Sequence, residues 1–341
     1  MTELLVIKER LKKAYSVYGA YIDAAARGLL VLSACVAVNT LIGYMPLLQS
    51  PFIILLLAVI AAFLPVSASM LIVSVVILGN LFSVTMEAAL LFAVLMLLFV
   101  LTFFVLKPGN SHIMTLSIAL GALRFFGPLP MILGLMYSPL ALFPMTFGLV
   151  VSQYMTYISD NYVLLSSKTS TLTNIQKISQ IAAGVCTNEQ MWTMVVILIL
   201  VSLIVYAIRR LQVRNSWFYA IVIGVFMHLL LTLLCDFMFD IRESYFILAI
   251  NLILEVLVGV SLWFFFFMVD YSREETVQFE DDEYYYYVKA VPKVTVTVPE
   301  VRVTRIRERS VKDTARTSGQ VTFVMDDRDG DTVDVEERED D

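Results

Sequence analysis

Up to residue 270 the chain is a series of apolar stretches joined by short polar turns, most of them close to the length of a membrane-crossing helix. Such a helix takes about 20 mainly apolar residues to span a ~30 Å hydrocarbon core. Stretches of this kind occupy 29–47, 86–106, 138–158, 190–208, 217–238 and 245–269. The whole chain is 59% hydrophobic and 16% charged, against about 45–50% and about 25% in ordinary soluble domains. No single water-soluble core absorbs that excess, so the first partner of this chain is the lipid bilayer. Soluble enzyme folds, disulfide scaffolds and free nucleic-acid binders are excluded as descriptions of the whole.

Two further apolar stretches are irregular. Segment 51–82 is interrupted by Pro65, and segment 113–135 carries Arg124 followed by Gly127, Pro128, Leu129 and Pro130. If each crosses once, the chain is an all-α polytopic membrane protein with about eight transmembrane helices. Ten crossings would need each to split and gain a leg. Lys/Arg bias sets the orientation. Lys8, Arg10, Lys12, Lys13 and Arg27 mark the N-terminus as cytoplasmic, and Arg209, Arg210 and Arg214 mark a second cytoplasmic turn. The tail after Asp270 then returns to the cytoplasm, which requires an even number of spans. The expected location is the plasma membrane, with 28–270 as the bundle.

Residues 1–27 are amphipathic rather than a signal peptide. Leu4, Leu5, Ile7 and Leu11 recur at helical spacing beside the basic cluster. Such a helix lies at the headgroups of the cytoplasmic leaflet, or it simply extends the first span. Between the fifth and sixth spans, 159–190 reads as an external loop with a short surface helix near 174–183. Cys35, Cys186 and Cys235 have no metal-ligand spacing; small buried thiols fit them better than a Cys186–Cys235 bridge.

Polar groups at membrane depth mark candidate function, because a charged side chain at the bilayer centre costs at least ~2.5–3.5 kcal/mol on insertion scales. Arg124 is expected to face the bundle, where freed carbonyls or a carboxylate receive its donors; alternatively it ends a short helix and snorkels outward. The breaks at Pro65 and at Gly127, Pro128 and Pro130 fall in two segments of similar hydropathy, a pattern that points to transporter-type sites. In the last two spans, His228 stands twelve residues before Asp240 and Glu255 fifteen after it. At ~1.5 Å per residue the two share one depth near the midplane. They are expected to form a proton-sensitive pair, with Asn251 one turn away as a further polar member. The bland alternative is a histidine bonded to a carbonyl and a protonated glutamate in a helix–helix bond. Glu87 and His112 are assigned to turns, and Asp236, Asp240, Arg242 and Glu243 to a solvated external hairpin.

No Walker loop, GxGxxG, HExxH or GxSxG occurs. Two histidines cannot build a His-rich metal site, so no metal, cofactor or catalytic residue is assigned, and an enzyme is the minority reading.

Charge divides the chain at residue 270. The first 270 residues hold 13 Lys/Arg and 11 Asp/Glu, and the last 71 hold 11 and 19. The acidic, largely disordered tail 271–341 contains Tyr284, Tyr285, Tyr286 and Tyr287, then a strand-like segment, 288–307. There Val294, Val296 and Val298 alternate with polar residues ahead of Arg302 and Arg305. A lone strand-like segment cannot bury its apolar face, so a cytoplasmic protein partner is expected at the tail. Two functional readings follow: a transporter- or permease-like protein with a polar site inside the bundle, or a non-transporting scaffold recruiting cytoplasmic or cell-envelope assembly partners through its tail.

Overall fold

The computed structural model describes residues 2–106, 110–166, 173–213, 215–239, 244–267, 275–280 and 285–290, all within the compact unit that ends at Val296. Helix α1 (Thr2–Ile42) is a single element, interrupted only at Tyr18, where φ −112° and ψ 16° leave helical space. The amphipathic start therefore continues into the first apolar stretch. The chain turns through α2 (Pro46–Gln49) into α3 (Pro51–Phe63), and both helices open on a proline, where the missing N–H has no intrahelical partner to lose. Helix α3 ends because Leu64, placed before Pro65, is held extended at ψ 160°. Helix α4 (Ala68–Val84) and α5 (Met86–Leu106) follow.

Segment 51–82 is thus two helices, and they run in opposite directions. Near the end of α1, Asn39 Nδ2 donates to the Leu48 carbonyl just ahead of α3 (2.7 Å). Near the end of α3, Arg27 Nη2 donates to the Ala62 carbonyl (3.1 Å), so α3 descends α1. Helix α4 climbs back, because Asn80 Oδ1 accepts from the Tyr44 and Met45 N–H groups at the end of α1 (both 3.0 Å). The expected single crossing is corrected to a helical hairpin. Proline marked the break, but direction is set by these long-range bonds.

Segment 113–135 is likewise divided, into α6 (His112–Ala122) and α7 (Pro128–Met136). Its neighbours show the reversal. Helix α8 (Leu142–Asp160) runs parallel to α6: Gly148 packs on Met114 and Ser117, and Gly121 on Ser152. Tyr137, just past the end of α7, returns to the start of α6, its hydroxyl 2.8 Å from His112 Nε2. End to end, the two helices would hold these groups about 30 Å apart at ~1.5 Å per residue. They form instead a hairpin whose two outer ends lie together, with its apex at 123–127. The expected single helix here is corrected to a helical hairpin, and His112 opens a helix rather than sitting in a turn.

Helix α8 rises antiparallel to α5: the Tyr154 hydroxyl donates to the Ala88 carbonyl (2.7 Å), while Phe99 stacks on Phe143 at 5.5 Å. After α9 (Tyr162–Leu165), α10 (Asn174–Cys186) begins with a capping box between Thr173 and Gln176. It packs on α5 and α8 through Ile181 and through Gly184, which lies on the Tyr157 ring. Helix α11 (Glu189–Arg209) is capped by Asn188, whose Oδ1 accepts from the Met191 N–H (3.1 Å). Helices α12 (Ser216–Phe239) and α13 (Tyr245–Leu262) form an antiparallel pair, and a π turn, Trp263–Phe267, ends the latter. Strands β1 (Glu275–Glu280) and β2 (Tyr285–Ala290) pair antiparallel, with Val277 opposite Val288. They lie in the tail expected to be largely disordered, and β2 takes in Tyr285, Tyr286, Tyr287 and the first residues of the segment expected to be strand-like. Segment 288–307 falls outside the described residues beyond Ala290.

Among the described residues, five helices are long and apolar enough to cross a membrane: Arg10–Ile42, Met86–Phe103, Glu189–Arg209, Ser216–Phe239 and Tyr245–Phe266. Helices α3, α4 and α6 are apolar but shorter. The helices turn large apolar side chains outward, such as Phe226 (58% exposed) and Ile253 (64%). A surface of this kind suits lipid rather than water. Inside, one apolar cluster joins α1, α4, α5, α6 and α8, and another joins α7, α11 and α12. A third joins both legs of the hairpin to α8 and α11.

The reversal has a direct test. In a cysteine-free background, His112→Cys and Tyr137→Cys should be joined in high yield by a short bifunctional thiol reagent. A single broken crossing would give no product.

Candidate functional site

Along α12 and α13 the antiparallel pairing brings residues of equal depth together. Gly259 lies against the Ile221 side chain, and nearer the connecting turn His228 Nδ1 stands 2.6 Å from Glu255 Oε2. Glu255 has no exposed surface and His228 very little (6%). An isolated buried charge is strongly disfavoured, and a hydrogen-bonded partner is what makes such burial tolerable. Glu255 Oε1 is buried with no hydrogen-bond partner. A proton can therefore be added there, or exchanged across the Nδ1–Oε2 bond, without displacing another protein donor.

One turn before Glu255, Asn251 holds the apex of the α6–α7 hairpin. Its Oδ1 accepts from the Gly127 N–H (2.9 Å), and its Nδ2 donates to the carbonyls of Arg124 (3.2 Å) and Ile247 (3.1 Å). One amide thus satisfies backbone groups on both sides of the break, as an irregular backbone in an apolar bundle requires. The approach is so close that a Cβ on Gly127 would collide with the Asn251 carbonyl. Arg124 takes a left-handed conformation, φ 61°, uncommon for a residue with a side chain.

A small cleft of about 30 Å³ lies among α11, α12, α13 and the apex. Gln190 and Asp236 line its end nearest the termini of α11 and α12; His228, Asn251 and Phe126 line its depth. With Nδ1 turned to Glu255, Nε2 is the ring nitrogen left for the cleft. Thr232, one turn above, donates to the His228 carbonyl (2.9 Å). Asp236 was assigned to a solvated loop; it belongs to the last turns of α12, which run on to Phe239. The signal for it was available: it follows His228 by eight residues, close to two helical turns on the same face.

Other sequence-read residues fall elsewhere. Arg124 contributes its carbonyl, while its side chain is exposed. Of the two expectations for Arg124, entry into the bundle is corrected, and the exposed residue just past the end of α6 fits the other, in which it ends a short helix and turns outward. Pro128 and Pro130 are buried in the first turn of α7, where they start the helix. Pro65 sits at the foot of the α3–α4 hairpin, where Ser69 meets Thr115 of α6 (3.4 Å), and it does not join the cleft. Glu87 accepts from the Thr85 hydroxyl in the first turn of α5. Tyr285, Tyr286 and Tyr287 belong to β2; Tyr284, Val294, Val296, Val298, Arg302 and Arg305 lie outside the described residues, as do Asp240, Arg242 and Glu243. Among the described residues no group of three or more His, Cys, Asp or Glu could hold a metal ion.

Set against models of known protein families, curated proteins and solved structures, the chain matches none of them.

Removing the Asn251 amide orphans the buried Gly127 N–H, at a cost of about 1–3 kcal/mol. Gly127→Ala adds a methyl group where the α13 backbone already sits, costing about 1–3 kcal/mol. Both Asn251→Ala and Gly127→Ala should lower the thermal unfolding midpoint in detergent. An unchanged midpoint in both would remove the apex contact from the structure's stability.

Proposed function

We propose that this chain is a plasma-membrane transporter, permease-like, in which the His228–Glu255 pair at the floor of the cleft carries a proton. The carrying observation is the pair itself: two ionisable groups, 2.6 Å apart and buried, beside a broken helix and at the end of a small cleft lined by polar and apolar side chains together. Intramembrane ionisable residues are rare and, where they occur, commonly mark ion or substrate pathways. Broken helices near the midplane are a recurrent way of building transport sites.

In this reading the chain crosses eight times, through α1, α3, α4, α5, α8, α11, α12 and α13, while α6–α7 re-enters without crossing. The total equals that expected from sequence, with two assignments exchanged. Helix α3 has 13 residues and α4 has 17, so they span only about 20 and 26 Å at ~1.5 Å per residue. Local thinning of the bilayer accommodates such short helices. Lys8, Arg10, Lys12, Lys13, Arg209 and Arg210 then share the side of both termini, which the positive-inside rule assigns to the cytoplasm. The cleft opens on the opposite side.

Purified protein reconstituted into liposomes with a trapped pH indicator should dissipate an imposed pH gradient. Glu255→Gln and His228→Ala should each reduce the rate to that of protein-free liposomes. Wild-type rates in both variants would defeat the proposal.

A tail-recruitment role has one observation in its favour. The β1–β2 sheet has two strands among the described residues, and an unpaired strand edge can accept a partner's strand. Deleting 275–341 should then abolish co-purification of partners while leaving proton flux intact; an unchanged partner set would dismiss that role.

A further inference from the structure

We propose, resting on the proton-carrier reading above, that the His228–Glu255 pair is a proton-binding site open only toward the face bearing α10. Helix α7 of the re-entrant hairpin is the plug that closes it from the face bearing the N-terminus.

On the α10 side, polar side chains share the small cleft with His228. Thr232 and Asp236 stand one and two turns above His228 on α12, and Gln190 faces them from the start of α11. On the other side, the packing is apolar. Gly224, four residues below His228 on α12, is backed by Val205 and Met131, and Gly259, four below Glu255, is backed by Ile221. A Cβ at Gly224 would collide with both of its neighbours, so no water-sized gap separates these helices there. Met131 and Val205 are wholly buried. Ser202, the buried polar side chain at this level of α11, is bonded to the Leu198 carbonyl of its own helix (2.6 Å).

Helix α7 supplies Met131 to that seal and packs against α11, α12 and α13 together. It is fixed at both ends by side-chain hydrogen bonds: Asn251 at its start, and Arg209, which donates to the Leu135 carbonyl, at its end. Side-chain ties of this kind can be exchanged in a way that a continuous helix cannot. The other charged and titratable groups on the elements around the pair are Tyr219, Cys235 and Asp236 on α12, Tyr245 on α13, Glu189, Tyr206 and Arg209 on α11, and Arg124 at the apex. Helix α7 carries none. Proton uptake runs from hydronium in the cleft to His228 Nε2, while the Nδ1 proton passes to Glu255 Oε2. The products are water, a neutral imidazole with its proton on Nε2, and a carboxylic acid.

The test uses the full chain in vesicles sorted by access to an N-terminal tag, with Cys35→Ala and Cys186→Ser removing the other thiols. A small, membrane-impermeant methanethiosulfonate should label native Cys235 from the α10 face only. In a Cys235→Ser background, Thr232→Cys should be labelled from that face, and Ile221→Cys from neither. If Ile221→Cys fails to fold, Val205→Cys replaces it. Labelling of Ile221→Cys or Val205→Cys from the N-terminal face, or of Thr232→Cys from both faces, overturns the plug. The labelling rate of Thr232→Cys should also follow pH on the α10 side differently in the presence of Glu255→Gln. Identical pH profiles with and without Glu255→Gln overturn the proton assignment, as does a response to pH on the opposite side. Proton flux with two-sided labelling spares the carrier reading and removes the sidedness; one-sided labelling without flux does the reverse.

Discussion

Everything near the cleft depends on how the chain satisfies its backbone where the α6–α7 helix breaks. In an apolar bundle, unpaired N–H and C=O groups each cost several kcal/mol, on the order of a whole hydrogen bond or more. Asn251 meets that demand on both sides of the break, accepting from Gly127 and donating to the Arg124 carbonyl. Because the amide belongs to α13, the apex is held against the helix that carries Glu255. Gly127 permits the contact by having no side chain. Break, cleft floor and ionisable pair are therefore one construction, gathered within a turn of α13.

The α6–α7 hairpin also organises the rest of the bundle. Helix α6 packs mainly with α1 and α8, and α7 with α11 and α13, while one apolar cluster joins both legs to α8 and α11. The outer ends of the legs meet again at His112 and Tyr137, while Arg209 closes α7 at its last carbonyls. The α3–α4 hairpin enters from the opposite face, but its packing differs. There α4 lies beside α5, whereas in the second segment it is α6 that lies beside α8. The correspondence between the two broken segments stops at hydropathy.

The long helices were legible because crossing length and apolar composition are local properties, written in stretches such as 190–208 and 217–238. The broken segments were not, because hydropathy counts apolar residues without recording direction. Pro65 and Pro128 announce that a helix stops, yet whether the chain continues or turns back is decided by partners dozens of residues away, such as Ala62 for Arg27. Depth arithmetic brings His228 and Glu255 to one level because α12 and α13 are regular helices joined by a short turn, so residue count maps directly onto height. The same counting fails for Arg124, which sits where the chain reverses. It fails also for Asp236, because α12 continues past the point at which polar residues suggested a loop. Its place in the cleft depends on that helix end, a boundary set by tertiary packing more than by local composition.

In the proposed mechanism His228 and Glu255 act as one proton-binding unit within the bundle. The most direct measurement is the infrared spectrum of the reconstituted protein, with the Glu255 bands identified by difference against Glu255→Gln. The expected result is a Glu255 carboxyl signal that changes with bulk pH and shifts when His228→Ala removes its partner. A Glu255 signal that ignores both pH and His228→Ala would contradict the account.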